Sequence, residues 1–448
     1  ILSRKIIPVY CGSAEKNIGM APLLESIVNL LPSPLDRGVV FGVEPSADKV
    51  KERKPDSKEP LSALVFKTIV DPFAGRLSIF RVFSGEFNSD SNIFNSSQKE
   101  KEKIGQIFQL VGKQQHAINP AVAGEIAAVA KLRLTTTGDT LSDEGDQIIF
   151  DSFNFPSPSV LFAVKPKGKS DEEKIATSIA KLQEEDPTIK LQRELQTKEV
   201  ILMGLGQRHL EVTIEKLKRK YGVEVELTVP KVPYQETIRS KAQAQGKYKK
   251  QSGGRGQYGD TWTEVEPLPR GNGFEFVNKI TGGVIPRQYI PAVEKGIRET
   301  MAEGILAGYP VVDLKATLYD GTFHDVDSSD MAFKIAGALG FKKGFNQADP
   351  VLLEPIMSVE ISVPDEYTGD VIGDLNSRRG KVIGVEPKEG IQIIKSQVPM
   401  SEVLRYEPDL RSMTQGRGAF TMQLSHYEEL PSHISEKVIA ASKTKEEQ

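Results

Sequence analysis

The chain has 448 residues, enough for several domains of ordinary size, and a formal net charge of −3. This near-neutral charge excludes a general polycation, so any contact with nucleic acid must come from a local cluster of basic residues. The single cysteine, Cys11, excludes an internal disulfide framework and indicates a reducing compartment such as the cytoplasm. No apolar run approaches the roughly 18 residues that a membrane-spanning helix needs, so we expect a cytoplasmic protein with no membrane partner.

The sequence contains no recognisable catalytic constellation. Its five histidines are widely spread and do not have the spacing of metal ligands, so no metal site is predicted. No nucleophile elbow, paired-histidine motif or dinucleotide fingerprint is present. Residues 168–170 read Gly-Lys-Ser, like the end of a phosphate-binding loop, but Ala163 stands where that loop needs a glycine. We therefore predict no catalytic residue and no cofactor in this chain.

Residues 1–35 are typical of part of an α/β unit. Residues 6–10 predict a buried strand, residues 11–14 a turn, and the apolar periodicity from Leu23 to Leu31 a helix. A strand, a turn and one helix cannot bury their own apolar faces, so we expect a remnant of a larger domain in a longer protein. Residues 36–60 are polar, charged and proline-bearing, which predicts a linker.

Three further segments show distinct patterns. Residues 61–150 contain short strands with frequent turns, which predicts a small antiparallel β-barrel. Residues 158–230 follow the order β-α-β-β-α-β, which predicts a ferredoxin-like domain, and residues 351–430 repeat that order. Residues 431–448 predict a C-terminal helix and a charged tail. The chain is thus expected to be a multidomain α+β protein.

Residues 231–350 contain the most informative stretch, a long basic strand that leads into a glycine-rich loop. Residues 251–259 read Gln-Ser-Gly-Gly-Arg-Gly-Gln-Tyr-Gly, and no acidic residue occurs between Arg239 and Arg255. The glycines allow the backbone to lie close to a partner, while Arg255 and Tyr258 offer a donor fork and a stacking face that suit RNA. Spacing alone leaves open an ordinary hairpin tip with solvated charges.

A second loop, residues 321–329, belongs to the same module. His324 can stack or form hydrogen bonds in this turn, and Asp325 and Asp327 can accept backbone N–H groups. Position 328 or 329 supplies a serine N-cap for the next helix. If both loops lie at one end of the module, we expect His324 to meet the glycine-rich loop. The alternative is a turn histidine without a special role.

These segments resemble bacterial translation elongation factor G, in the order in which that family carries them. The similar motifs are residues 11–14 (last guanine-binding motif), 61–67 (barrel domain), 251–259 and 324–329 (fourth domain), and 350–357, 368–374 and 378–380 (fifth domain). The resemblance covers essentially the whole chain.

The resemblance implies a ribosomal translocase that promotes GTP-dependent movement of tRNA and mRNA. It implies a monomer whose partners are the ribosome (ribosomal RNA and proteins), tRNA and mRNA. It also implies a ribosomal-protein-S5-like fold for residues 231–350 and a P-loop GTPase remnant at the N-terminus. The implied RNA-binding residues are Ser252, Gly253, Gly254, Arg255, Gln257, Tyr258, His324 and Asp325. Ser13 and Ala14 are expected to contact guanine only together with a GTPase segment that the sequence does not contain.

Two departures from the family pattern affect the expected activity. The phosphate loop, both switches and the guanine-selecting Asn-Lys-x-Asp motif are missing, so GTP and Mg²⁺ are expected to bind only the full-length protein, and this chain alone is predicted to be inactive as a GTPase. Gln207 and Arg208 replace the usual Glu-Leu, which indicates a paralogue acting in ribosome recycling, rescue or protection as an alternative. A stand-alone RNA-binding module is the alternative of another class, against which the unburied N-terminal fragment argues.

Overall fold

The structure is a computed structural model that describes residue 1 and residues 5–45, 49–71, 75–112, 114–250 and 256–446. The chain divides into two compact units. The first comprises residues 1–157, 166–191 and 209–225, and the second comprises residues 158–165, 192–208 and 226–448. Among the residues described, no helix is long and apolar enough to cross a membrane.

The N-terminal segment contains two helices, α1 (Met20–Leu30) and α2 (Pro34–Arg37). The helix predicted from the apolar periodicity is present, and none of the residues of α1 is buried. The strand predicted over residues 6–10 is wrong, because these residues form no regular structure. A strand needs a neighbour for its backbone N–H and C=O groups, and the described part of the chain supplies none to this segment.

Residues 36–60, for which the composition predicts a linker, contain regular secondary structure. Strands β1 (Val40–Glu44) and β2 (Lys49–Arg53) form an antiparallel hairpin. The hairpin packs closely against the backbone at Ile149, since a Cβ on Gly42 would lie 2.6 Å from the Ile149 carbonyl oxygen. Two of its basic residues share one carboxylate, since Lys51 and Arg53 both form ion pairs with Asp146, and Arg53 is buried.

The strands that follow form an eight-stranded antiparallel sheet with the order β7-β6-β12-β3-β4-β11-β8-β9, and β5 pairs with β10. The strands are β3 (Ser62–Asp71), β4 (Gly75–Ser84), β5 (Glu86–Phe87), β6 (Asn92–Asn95), β7 (Glu100–Lys103), β8 (Ile107–Val111), β9 (Gln114–Ile118), β10 (Ala121–Val122), β11 (Ile126–Ala130) and β12 (Thr140–Ser142). Side chains from both halves of the sheet, such as Ile93 and Ile107, share one core with Phe80. The sheet is therefore curved around its core, as a barrel requires.

Residues 160–228 contain the predicted order of strands and helices. The elements are β13 (Val160–Pro166), α3 (Lys169–Glu185), β14 (Lys190–Arg193), β15 (Val200–Gly204), α4 (Gln207–Tyr221) and β16 (Val225–Thr228). The strands form a sheet with the order β14-β15-β13-β16.

The module that carries both predicted loops lies in the second unit. Its elements are β17 (Gln235–Ile238), β18 (Ala242–Lys250), β19 (Gln257–Pro267), β20 (Phe274–Asn278), a 3-10 turn (Arg287–Tyr289), α5 (Ile290–Glu303), β21 (Leu314–Thr322) and α6 (Asp330–Gln347). The sheet has the order β18-β19-β21-β20, in which only β20 and β21 are a parallel pair among the described residues.

Helix α6 packs with its backbone almost touching two neighbours. A Cβ on Gly246 of β18 would lie 2.0 Å from the Ala336 carbonyl oxygen, and a Cβ on Gly296 of α5 would lie 2.1 Å from the Lys334 carbonyl oxygen. Small residues recur along α6 itself, and its buried positions include Ala332, Phe333, Ala336, Gly337, Gly340, Phe341, Gly344 and Phe345. The helix is therefore enclosed between the sheet and α5 at distances that only glycine permits.

The sheet of the last module contains the strands of that module and, at one edge, β17. Its elements are β22 (Pro350–Pro364), a 3-10 turn (Asp365–Tyr367), α7 (Thr368–Ser377), β23 (Lys381–Lys388), β24 (Ile391–Pro399), α8 (Met400–Val403), α9 (Tyr406–Met413), β25 (Ala419–Glu429) and α10 (Ser432–Glu446). The sheet runs β17-β22-β24-β23, and β25 also pairs with β22. Ion pairs from Arg239 and Arg270 to Glu429 lie beside this junction.

We expect Gly246→Ala to lower the free energy of unfolding of the module by about 2–3 kcal/mol, because the added methyl meets backbone that cannot move aside. Trp262, the only tryptophan, lies on the partner strand β19 and reports unfolding of this sheet in urea by its fluorescence. The matched control is Gly384→Ala, another strand glycine, whose Cβ would have no atom within 4 Å. Coincident unfolding midpoints for the two variants would contradict the packing argument.

Candidate nucleic-acid interface

The two predicted loops lie at the same end of the module. Strand β19 pairs antiparallel with β21, with Asp260 opposite Thr322, so the start of β19 lies beside the loop that follows β21. An isolated parallel bridge between Tyr258 and Ser328 joins the start of β19 directly to the second loop. The predicted contact residues Ser252, Gly253, Gly254 and Arg255 lie outside the described residues.

Backbone and side-chain hydrogen bonds fasten the loops together. The Tyr258 N–H donates to the Asp327 carbonyl at 2.8 Å, and the Gly256 N–H donates to Asp327 Oδ1 at 2.9 Å. Ser328 Oγ donates to the Tyr258 carbonyl at 3.0 Å and accepts the His324 N–H at 2.9 Å. Ser328 is buried. One serine and one aspartate therefore determine how the second loop is held against the first.

The structure brings Tyr258 and His324 together on the surface of this junction. Their ring centroids are 6.4 Å apart, and His324 is exposed. Lys247 on β18 places Nζ 5.8 Å from the centroid of the Tyr258 ring, within range of a cation–π contact. The tip therefore combines two rings with a cation, the groups that contact unstacked bases and phosphates.

The other predicted loop residues have simpler surroundings. Gln257 is exposed and lies opposite Lys250 at the start of β19. Asp325 is exposed, whereas Asp327 accepts a backbone N–H group as the sequence predicts. The helix N-cap is Ser329, whose side chain accepts the Ala332 N–H.

The basic strand carries two kinds of cation that its sequence does not distinguish. Arg239 pairs with Glu429 and Asp349, and Lys241 pairs with Glu264 and Glu266. Hydrogen bonds to Glu264 and Glu266 raise the pKa of Lys241, so its charge is held and locally compensated.

Near the tip the compensation ends. Within the described residues, Lys247, Lys249 and Lys250 form no ion pair. They occupy the end of β18 next to the glycine-rich loop. Positive charge that forms no ion pair among the described residues therefore lies close to the two rings, and phosphate groups would be attracted there.

The predicted guanine contacts at Ser13 and Ala14 lie in a short turn. The Ser13 N–H donates to the Ile18 carbonyl at 3.0 Å, and the Ile18 N–H donates back at 3.0 Å. The Ser13 N–H group is therefore already engaged, so the predicted donation to guanine from that group would require this pair of hydrogen bonds to open.

Sequence reasoning missed the roles of Ser328, Thr322 and Lys247. Thr322 accepts or donates a hydrogen bond with the Tyr258 hydroxyl at 2.6 Å, and Ser328 bridges the two loops. A predicted strand register for the β18–β19 hairpin would have placed Lys247 close to Tyr258. Lys249 lies directly opposite Tyr258, and Lys247 is two residues away on the same face of β18. No sequence pattern predicts the bridge at Ser328, because it depends on pairing between two separate loops.

We expect Ser328→Ala to loosen the two loops without unfolding the module. It leaves the His324 N–H and the Tyr258 carbonyl without their partner, a local cost of about 1–3 kcal/mol. Hydrogen–deuterium exchange should accelerate in peptides that contain residues 256–262 and 322–328. Ser329→Asn, which keeps an N-cap acceptor, should leave both peptides unchanged. Equal exchange in wild type and Ser328→Ala would show that the bridge does not hold the loops.

Comparisons with known proteins agree with this arrangement. Four family models match: Elongation factor G domain 2 over residues 60–144, domain III over residues 155–229, domain IV over residues 230–349, and the C-terminus over residues 351–438. A crystal structure of a protein from Thermus thermophilus is similar, with a TM-score of 0.75 and 40% sequence identity. The match covers 98% of this chain and 63% of that chain, so this chain spans less than two thirds of the matched protein. The chain belongs to the elongation factor G family of translation factors.

Proposed function

We propose that the joined loops form the RNA-contacting tip of a cytoplasmic, ribosome-bound elongation factor that promotes GTP-dependent movement of tRNA and mRNA. The observation that carries the proposal is the junction at Tyr258 and Ser328, which lies at the same end of the module as His324 and three lysines that form no ion pair among the described residues. Ribosomal RNA, tRNA and mRNA are the proposed partners of this surface.

The distribution of charge supports RNA rather than protein as the partner. Lys241, directly before β18, is paired with carboxylates, whereas the lysines near the tip form no ion pair in the part of the chain that the structure describes and can attract an external anion. The polar phenol and imidazole groups beside them suit a ribose–phosphate chain better than an apolar protein surface.

We also propose the finer fold assignments that the family resemblance implies. The sheets β14-β15-β13-β16 and β23-β24-β22-β25 each place the strands of a β-α-β-β-α-β unit in the order 2-3-1-4, which supports a ferredoxin-like assignment for both. A ribosomal-protein-S5-like fold for the tip module and a P-loop GTPase origin for residues 1–35 rest on the resemblance. Nucleotide chemistry is not assigned to the residues of this chain, since the sequence has no phosphate loop.

The proposal predicts a specific change in the salt dependence of RNA binding. Replacing Lys247, Lys249 and Lys250 together with alanine removes up to three phosphate contacts. The slope of log K against log salt for a fluorescein-labelled RNA stem-loop should therefore fall by about 2. Fluorescence anisotropy at several KCl concentrations measures the slope.

The matched control is Lys241→Ala, directly before the same strand, where Glu264 and Glu266 already compensate the charge. Its slope should equal that of the wild type. Equal slopes for the triple variant and the control would show that the tip does not supply the electrostatic contact with RNA.

For the movement of tRNA and mRNA, we expect His324→Ala in the full gene product to slow single-turnover translocation on ribosomes by about tenfold, the effect of losing roughly 1.4 kcal/mol of transition-state stabilisation. GTP hydrolysis, measured in the same reaction, should keep its wild-type rate. A parallel loss of both rates would mean that His324 acts through folding and not through contact with the moving RNA.

A further inference from the structure

A chain of hydrogen bonds fixes the direction of the Tyr258 hydroxyl. Gln245 Nε2 donates to Asp260 Oδ1 and Oδ2 at 2.9 and 3.1 Å, and Thr322 Oγ1 donates to Asp260 Oδ2 at 3.1 Å. A carboxylate accepts hydrogen bonds and donates none, so the single hydroxyl proton of Thr322 is committed to Asp260. Asp260 is buried, so this carboxylate relies on these side chains.

It follows that the phenol is the donor in the short contact between Tyr258 and Thr322. The two oxygens are 2.6 Å apart, and Thr322 has no second proton to give. The Tyr258 proton therefore points inward. Because this contact lies at the surface, the remaining lone pair of the phenol oxygen faces outward, and Tyr258 offers an incoming partner an acceptor.

His324 has the opposite polarity. The backbone N–H groups of Val326 and Asp327 donate to its Nδ1 at 3.4 and 3.3 Å, which requires a lone pair on that nitrogen. The neutral ring then carries its proton on Nε2. Within the described residues no acceptor approaches Nε2, and the side chain is 57% exposed.

The carboxylate of Asp327 does not move the ring proton of His324 from Nε2 to Nδ1. Its Oδ2 lies 3.6 Å from Nδ1 of His324 and would favour a proton there, but that proton would face two N–H donors. The other oxygen, Oδ1, already accepts the Gly256 N–H. The turn therefore holds Nδ1 of His324 as an acceptor and leaves the Nε2 donor facing outward.

We propose that the tip recognises the ribose of RNA through this fixed pair, with the Tyr258 oxygen accepting from a 2′-hydroxyl and His324 Nε2–H donating to a phosphate or base acceptor. The RNA backbone places a donor, the 2′-hydroxyl, next to acceptors, whereas the DNA backbone offers acceptors only. The outward acceptor of Tyr258 and the outward donor of His324, on rings 6.4 Å apart, match the RNA backbone and do not match the DNA backbone. This inference rests on the proposed function, in which the tip binds RNA.

The first test compares an RNA stem-loop with the DNA stem-loop of the same sequence, using the 448-residue chain at one salt concentration. Tyr258→Phe keeps the ring and removes the acceptor. It should weaken binding of the RNA by about threefold to tenfold, the range for one net hydrogen bond, and leave binding of the DNA unchanged. Thr322 is exposed, so water can replace the lost phenol partner and the variant should fold.

Thr322→Val tests the direction of the hydroxyl. Without Thr322 Oγ1 the phenol proton is free to donate to a phosphate oxygen, so the affinity for DNA should rise while the affinity for RNA is kept. The preference for RNA therefore falls in both variants, in one by loss of RNA binding and in the other by gain of DNA binding. Unchanged RNA and DNA affinities in Thr322→Val would overturn the assigned polarity.

Two substitutions separate the nitrogens of His324. The Gln amide nitrogen reaches the place of Nε2 and keeps an outward donor, whereas the Asn oxygen replaces Nδ1 and keeps only the acceptor for the turn. We expect His324→Gln to retain more RNA affinity than His324→Asn. The reverse ranking would show that the histidine only supports the loop. Nitrogen-15 NMR of the wild type should show the neutral Nε2–H tautomer, and an Nδ1–H tautomer would overturn the assignment.

The same titrations distinguish a failure of the proposed function from a failure of ribose recognition alone. A wild-type chain that binds the RNA stem-loop without salt dependence contradicts the proposed function itself. Salt-dependent RNA binding, combined with equal losses of RNA and DNA affinity in Tyr258→Phe, contradicts only the recognition of ribose.

Discussion

The position of helix α6 determines the geometry of the tip. Its backbone lies against β18 at Gly246 and against α5 at Gly296, at separations where a single methyl group would overlap a carbonyl oxygen. A helix enclosed in this way cannot slide or rotate without clashing with both neighbours. Because the second tip loop ends at Ser329, the N-cap of α6, the packed helix also fixes where that loop begins its contact with Tyr258.

The tip then uses this fixed framework to orient small polar groups. Ser328 is buried and bonded on both sides, Asp327 receives the Gly256 N–H, and Thr322 directs the hydroxyl of Tyr258. None of these bonds is strong alone, since a neutral hydrogen bond contributes about 1 kcal/mol net. Together they remove the freedom of two exposed rings before any partner arrives, which lowers the ordering cost of binding.

Local pattern predicts much of the fold, and it fails where distant residues decide the outcome. The helix over Leu23–Leu31 and the repeated β-α-β-β-α-β order follow from apolar periodicity, and both are present. The strand over residues 6–10 is absent because its apolar residues find no pairing partner in the described chain. The hairpin β1–β2 has the composition of a linker, and the carboxylate that pairs with its Lys51 and Arg53 is Asp146, which lies far along the sequence.

The candidate site also combines a feature that the sequence predicts with one that it does not. The meeting of Tyr258 and His324 could be anticipated from two loops in one module. The difference between Lys241, which is paired, and Lys247, which forms no ion pair within the described ranges, could not be anticipated. The two lysines look alike until the structure places Glu264 and Glu266 within reach of Lys241.

The junction between the tip module and the last module has a mechanical consequence. Strand β17 leaves the tip module and pairs along the first residues of β22, with Gln235 opposite Leu353 and Ile238 opposite Pro350, while β22 continues into the last module. A load that pulls β17 along its own axis acts on all of these backbone hydrogen bonds at once, in shear, instead of opening them one after another. The ion pairs of Arg239 and Arg270 with Glu429 reinforce the same seam. The attachment of the tip is therefore built to resist axial force and to yield most easily to peeling from the side.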